Sequence, residues 1–245
     1  MLIETKKLNK SYREKPVLHD IDLAIAKGEV VTVIGPSGSG KSTLLRCLNG
    51  LEEINSGSII FKGKELSQKE KEWQKVRKEI GMVFQSYDLF PDRTVLENLI
   101  IGPVMVKKIA KDQAMANARQ WLQRVGLEAY GDSYPRALSG GQKQRVAIVR
   151  SLCMEPELIL LDEITASLDP EMVREVLEVI LDLAQGDTTM LIVTHEMVFA
   201  RQVSDRIIFM AEGRILEESS PQKFFTQPQT QRGQAFIQSL DFTHL

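Results

Sequence analysis

A run near the N-terminus, Gly35, Pro36, Ser37, Gly38, Ser39, Gly40, Lys41 and Ser42, fits the phosphate-binding pattern G-x-x-x-x-G-K-[ST]. Its flanks restrict the fold further. Glu29–Ile34 is an apolar, β-branched stretch that reads as a strand, and Lys41–Leu48 reads as the start of a helix. A glycine-rich loop between strand and helix wraps polyphosphate with its backbone N–H groups at a positive helix end. Gly38 and Gly40 let the backbone approach without a Cβ in the way. Lys41 is expected on the β- and γ-phosphates and Ser42 on Mg²⁺, with Thr43 also at the nucleotide.

A second element supports this reading. Leu158–Leu161 is fully apolar and ends in Asp162 and Glu163. Ligands of open α/β sheets gather at the carboxyl ends of strands. Asp162 is expected to face the Mg²⁺, and Glu163 an attacking water as general base.

The third informative stretch is Leu138–Gln142. Ser139, Gly140, Gly141 and Gln142 open the helical run Lys143–Met154, presenting N–H groups and a hydroxyl at a helix start. One nucleotide rarely needs two such anion sites in one chain. A dimer uses both when the P-loop of one copy faces this segment of the other.

The remaining chain falls around these motifs. Leu2–Leu8 and Val17–Ile25 read as antiparallel strands, followed by the turn Lys27-Gly28, and Gly57–Phe61 as a further strand closed at Lys62-Gly63-Lys64. Gln68–Lys78 is charged and lacks an apolar stripe, as in a solvated helix or loop. Gly81–Phe84 is a short strand. Thr94–Ile101 and Lys111–Val125 have helical spacing, with Asp112 as a cap and Gly126 as a stop. Pro170–Ala184 is a helix and Thr189–Val193 a buried strand. Arg206–Met210 and Arg214–Glu217 form a hairpin, and Pro221–Phe225 and Gln231–Leu240 are short helices. The expected fold is α/β: a P-loop NTPase (RecA-like) core with an antiparallel β subdomain and an inserted helical subdomain. Residues 1–86 and 156–245 form the core and 87–155 the helical part of a single domain.

Composition narrows the function classes. With 245 residues, 43% hydrophobic and 26% charged, the chain is an ordinary globular protein. A formal net charge of −2 gives no electrostatic reason to expect nucleic acid as a partner. No N-terminal pattern of a signal peptide is present, and no apolar run approaches the ~18 residues of a membrane span. Cys47 and Cys153 read as free cytosolic thiols, and His19, His195 and His244 are too scattered for a zinc site.

Taken in order, these motifs resemble those of the ATPase subunit of ABC transporters over nearly the whole chain. Leu138–Gln142 resembles that family's signature sequence, Gln85 its Q-loop glutamine, and Ala166-Ser-Leu-Asp169 its D-loop. His195 resembles its switch histidine and Tyr12 the aromatic that stacks on adenine. The resemblance implies ATP and Mg²⁺ as cofactors. It implies catalytic roles for Glu163, His195, Gln85 and Lys41, metal contacts from Ser42, Gln85 and Asp162, and an Asp169 that crosses a dimer interface. Ile164 stands where the family usually has proline, which is expected to loosen that turn. No N-K-x-D element for guanine is present; Asn9-Lys10-Ser11-Tyr12 fails at the acid, favouring ATP over GTP.

The stretches Gly81–Gln85, Leu89-Phe-Pro91, Glu97-Asn98 with Gly102-Pro103, and the tail around Phe224, Pro228, Arg232 and Phe236 are most similar to ATPases of bacterial polar amino-acid importers. That resemblance implies a homodimer on two integral membrane permease subunits, at the cytoplasmic face of the inner membrane, served by a periplasmic or extracellular solute-binding protein. An exporter or lipoprotein-release ATPase is the transport alternative. A soluble ABC ATPase acting on DNA or the ribosome is the other, disfavoured by the lack of coiled coils, a second cassette or a basic stripe.

Overall fold

The computed structural model describes residues 1–240, so His244 and the last residues of the expected core lie outside them. β1 (Ile3–Tyr12) and β2 (Lys15–Ile25) pair antiparallel from Ile3 opposite Ile25. β3 (Val30–Ile34) leads into α1 (Lys41–Leu48). β4 (Ser56–Phe61) and β5 (Lys64–Glu65) complete a four-stranded sheet in the order β2-β1-β4-β5.

After α2 (Glu70–Val76) come β6 (Ile80–Val83), α3 (Val95–Met105), α4 (Lys111–Arg124) and α5 (Gly140–Leu152). β7 (Leu158–Asp162), α6 (Pro170–Ala184), β8 (Thr189–Val193), α7 (Met197–Val203), β9 (Arg206–Ala211) and β10 (Arg214–Ser219) follow, then α8 (Pro221–Thr226) and α9 (Gln231–Leu240). The second sheet runs β10-β9-β3-β8-β7-β6. Its β6, β7, β8, β3 and β9 pair in parallel, and β10 closes the edge antiparallel. β3, β7 and β8 are buried at every residue, as expected of parallel strands covered on both faces.

Parallel strands place all their carboxyl ends on one side. Gly35 follows directly on β3, Asp162 ends β7, and Gln85 and His195 stand two residues beyond β6 and β8. The sheet therefore gathers four distant sequence motifs at one edge.

The helices of residues 87–155 have a core of their own, built from Val95, Leu99, Ala118, Leu122, Val146 and Val149. α5 belongs to two cores. Its Val146 and Val149 face the helical lobe, while Ala147, Ile148 and Leu152 pack with Ile159 of β7 and Val176 of α6. Its N-terminus, Ser139–Gln142, is thereby set between lobe and sheet.

Two local expectations need correction, and one helix had gone unread. Asp112 is not the cap of α4. Ala110 holds that position without a side-chain bond, and Asp112 sits in the first turn, where its charge suits the positive helix end. The charged stretch Gln68–Lys78 contains α2, which is anchored: Trp73 and Val76 are buried, with the Trp73 ring lying over Gly50. Two apolar residues among many charges are too few to raise an apolar stripe. α7, directly after His195, had no sequence signal strong enough to separate it from its neighbours. Gly126 does stop α4, at φ 70°. Cys47 and Cys153 are free and buried, and burial pushes both thiols up to about 12.

Candidate nucleotide site

At the P-loop, Gly38 adopts φ 78° and Gly40 φ 97°, a region that side-chain-bearing residues rarely enter. A Cβ on Gly40 would lie 2.7 Å from the Leu18 side chain, whereas Gly38 faces open space. One glycine is thus needed for packing on β2 and the other for its backbone conformation beside an open approach. Lys41 is buried, and its Nζ donates to the carbonyls of Gly35 and Pro36, both at 3.0 Å. An ammonium has three donors, so one remains for a ligand. Burial lowers the Lys41 pKa, while Glu163 and Asp162 nearby oppose that shift. An anion at this loop would favour the charged form further.

Ser42 Oγ donates to Asp162 Oδ1 at 2.7 Å, joining the start of α1 to the end of β7. Asp162 is buried, and burial pushes its carboxyl above the ordinary range despite the Ser42 bond. Next to it, Glu163 holds φ 48°, unusual for a residue with a side chain. The turn is pinned by Glu163 N–H on Val193 O at 2.9 Å and by Ala166 N–H on Glu163 O at 3.1 Å. His195 Nε2 lies 3.0 Å from Glu163 Oε1. Ile164, expected to loosen this turn, is 5% exposed and packs in the core with Val83, Ile148 and Val176. Burial of an apolar side chain here restrains the turn that a proline ring would otherwise stiffen.

Two clefts meet at Ser42 and Glu163. One, of about 420 Å³, is lined by Tyr12, Ser37, Gly38, Lys41, Thr43 and Glu163 among others. The other, of about 670 Å³, opens toward the helical lobe past Gln85, Asp162, Ser167 and Lys143. Gln85 lines this second cleft, where its Nε2 donates to Ser167 Oγ at 3.1 Å. Tyr12 is partly exposed, with Lys10 Nζ 4.7 Å from its ring centre.

The oxygens of Ser42 and Asp162 are hard donors suited to Mg²⁺. Among the described residues no group of three or more His, Cys, Asp or Glu could hold a metal.

The Ser139–Gln142 segment is not in the lining of either cleft, although Pro135 and Lys143 to either side of it line the larger one. Ser139 Oγ accepts from Gln142 N–H at 3.3 Å, and Gln142 Oε1 accepts from Ser139 N–H at 2.9 Å, a reciprocal cap on α5. Asp169 occupies the cap position of α6 but makes no side-chain capping bond there. The structure therefore brings together Tyr12, Gly35–Thr43, Gln85, Asp162, Glu163 and His195. It leaves Ser139–Gln142 and Asp169 outside the lining of either cleft.

The supporting roles of two residues were not read from the sequence. Asn98, fully buried, accepts from Phe90 N–H at 2.8 Å and donates to the carbonyls of Phe90, Arg93 and Thr94, holding the loop beyond Gln85. Lys10, behind Tyr12, pairs with Glu52 at 2.9 Å. An apolar helix interrupted by one asparagine was the available signal for the first; nothing local announced the second.

Comparison with known proteins bears on the whole chain. The family model described as "ABC transporter" matches residues 18–166. The arginine transport ATP-binding protein ArtM of Bacillus subtilis is 52% identical over 98% of this chain and 100% of its own length. The L-cystine transport system ATP-binding protein TcyN of Escherichia coli is also 52% identical, over 96% of this chain and 97% of its own. Among solved structures, the dimeric post-hydrolysis state of the ATP-binding cassette MJ0796 bound to ADP and Pi superposes with a TM-score of 0.80. It is 32% identical, over 89% of this chain and 98% of that one.

Proposed function

The chain belongs to the ABC transporter ATP-binding family, and from that premise we propose that it powers import of a polar amino acid through two membrane permease subunits. As a member it binds and hydrolyses ATP as the ATP-binding subunit of a transporter. No described helix is long and apolar enough to cross a membrane, so any path through the bilayer has to be lined by other subunits. We place it peripherally at the cytoplasmic face of the inner membrane, with a periplasmic or extracellular solute-binding protein delivering cargo.

The observation that carries the chemistry is the junction of Ser42 with Asp162 beside the Glu163–His195 pair. Backbone N–H groups of Gly35–Thr43 and the free donor of Lys41 bind the phosphates. Ser42 and Asp162, with Gln85 from the adjoining cleft, would hold Mg²⁺, which neutralises phosphate charge when bound. Glu163 takes the proton of the attacking water. His195 orients Glu163 and reaches the γ-phosphate, and Tyr12 stacks on adenine. Two copies close head to tail, so that Ser139, Gly140, Gly141 and Gln142 of one copy face the nucleotide of the other and Asp169 crosses between them. The lobe of residues 87–155 moves against the core formed by 1–86 and 156–245 and passes that motion to the permease.

The two relatives at 52% identity are named for different cargoes, arginine and cystine. Substrate choice accordingly belongs to other subunits, and the test must include them. Tagged chain is purified from gently solubilised membranes, its companions identified, and ATPase activity measured with the solute-binding protein and a panel of amino acids. A small permease and stimulation by one polar amino acid are expected. A partner with a large outer domain and no amino-acid response would overturn the import reading while leaving the ATP site intact.

A further inference from the structure

The sequence presents Ser139–Gln142 as N–H groups and a hydroxyl at a helix start, and within one chain its two glycines are packed on their inner side. A Cβ on Gly141 would lie 2.9 Å from Met172 Cβ. One on Gly140 would lie 3.0 Å from the Tyr87 hydroxyl and 3.1 Å from Leu168. The first turn of α6 is thus seated directly on the first turn of α5. The contact also includes a polar bond: Gly141 N–H donates to Met172 Sδ at 3.3 Å. Gln142 N–H is taken by Ser139 Oγ. A first-turn N–H has no partner within its own helix, so each needs one from outside it. For Gly141 the partner is a thioether, a weak acceptor.

We propose that Met172 is a positioning residue for ATP hydrolysis, its thioether holding Gly141 N–H and so registering the signature turn against the D-loop helix. The inference rests on the head-to-tail reading above. Met172 is the third residue of α6, and Asp169 is the cap of that helix. A single side chain therefore ties the segment proposed to face the partner's nucleotide to the segment proposed to cross the interface. A displacement of either turn is passed to the other through this contact, and the sulfur bond sets their relative register.

Polar and apolar explanations make opposite predictions for two variants. Met172→Leu keeps the apolar bulk and loses the acceptor; Met172→Gln keeps a similar reach and supplies an amide oxygen. Steady-state ATPase of the full chain should fall about fivefold in kcat for M172L, with KM for ATP little changed. M172Q should recover most of that loss. Thermal melting of both variants guards against misfolding. M172L at or above M172Q in kcat, or both indistinguishable from wild type, would overturn the proposal. In parallel, the Gly141 amide resonance of the ¹⁵N-labelled chain is followed without nucleotide. It should shift in M172L and return toward its place in M172Q; no shift in M172L would also overturn the contact. Were the wild-type chain to bind ATP without dimerising, the head-to-tail reading would fail, and the Gly141 resonance would still decide the Met172 bond.

Discussion

At the P-loop, the site is assembled from strands buried at every residue, and Ser42 is bonded to a carboxylate 120 residues away. At Ser139–Gln142, the outward-facing groups are bonded within their own turn, and only Gly141 reaches another element. The first region is organised by tertiary contacts that exist in a single copy. The second is a well-capped helix start whose inner side is packed and whose outer side is lined by neither cleft. The difference is what the proposed head-to-tail dimer requires: in that reading the two halves of a nucleotide site need not meet within one chain, because each serves the other copy.

The largest effect expected from that contrast is at Glu163. Glu163→Gln should lower kcat by on the order of 10²–10⁴-fold while ATP still binds, so that the variant accumulates as an ATP-bound dimer on size exclusion. Normal turnover would remove Glu163 from the chemistry and weaken the contrast at its centre.

Asp162→Asn separates function from stability. Because burial raises the folded pKa of Asp162, the charged form is disfavoured in the folded state at neutral pH. That cost is absent below the unfolded carboxylate pKa and appears as pH rises through the folded one. The variant should lose ATPase activity yet melt higher at neutral pH, with the gain shrinking as pH falls from the raised folded value toward the ordinary carboxylate value. A melting gain independent of pH would argue against burial as the cause.

Ser139→Ala probes the other half. Loss of the cap should cost ~1 kcal/mol, read by denaturant melting. Turnover should fall, while nucleotide binding to the monomer, measured with a fluorescent ATP analogue, stays unchanged. Weakened monomer binding would mean that the two regions share one site after all. The smallest effect is expected at Arg124→Ala, which removes an ion pair to Asp182 between α4 and α6 at 2.7 Å. Both partners are about half exposed, so the loss should stay within ~1 kcal/mol. A larger loss would show that this rim contact fixes the lobe against the core.

Much of this molecule was legible before any coordinates. The P-loop follows from local spacing, since its glycines, lysine and serine are contiguous. The bounds of α6 and β8 follow from strong periodic or apolar runs ended by proline, glycine or charge. Burial of Ile164 was not legible, because one apolar residue after two acids has no period to mark its face. Nor was Trp73, hidden in a charged stretch, or the sharing of α5 between two cores.

The sequence by itself determined that a phosphate loop exists and which residues stand in it and at the ends of the neighbouring strands. These depend on neighbours in the chain. Only the tertiary structure decided that Ser42 meets Asp162, that Glu163 meets His195, that Gln85 rests on Ser167 and that Gly141 rests on Met172. Those contacts depend on sheet order and helix seating. These are set by the burial of whole faces rather than by any local run of residues.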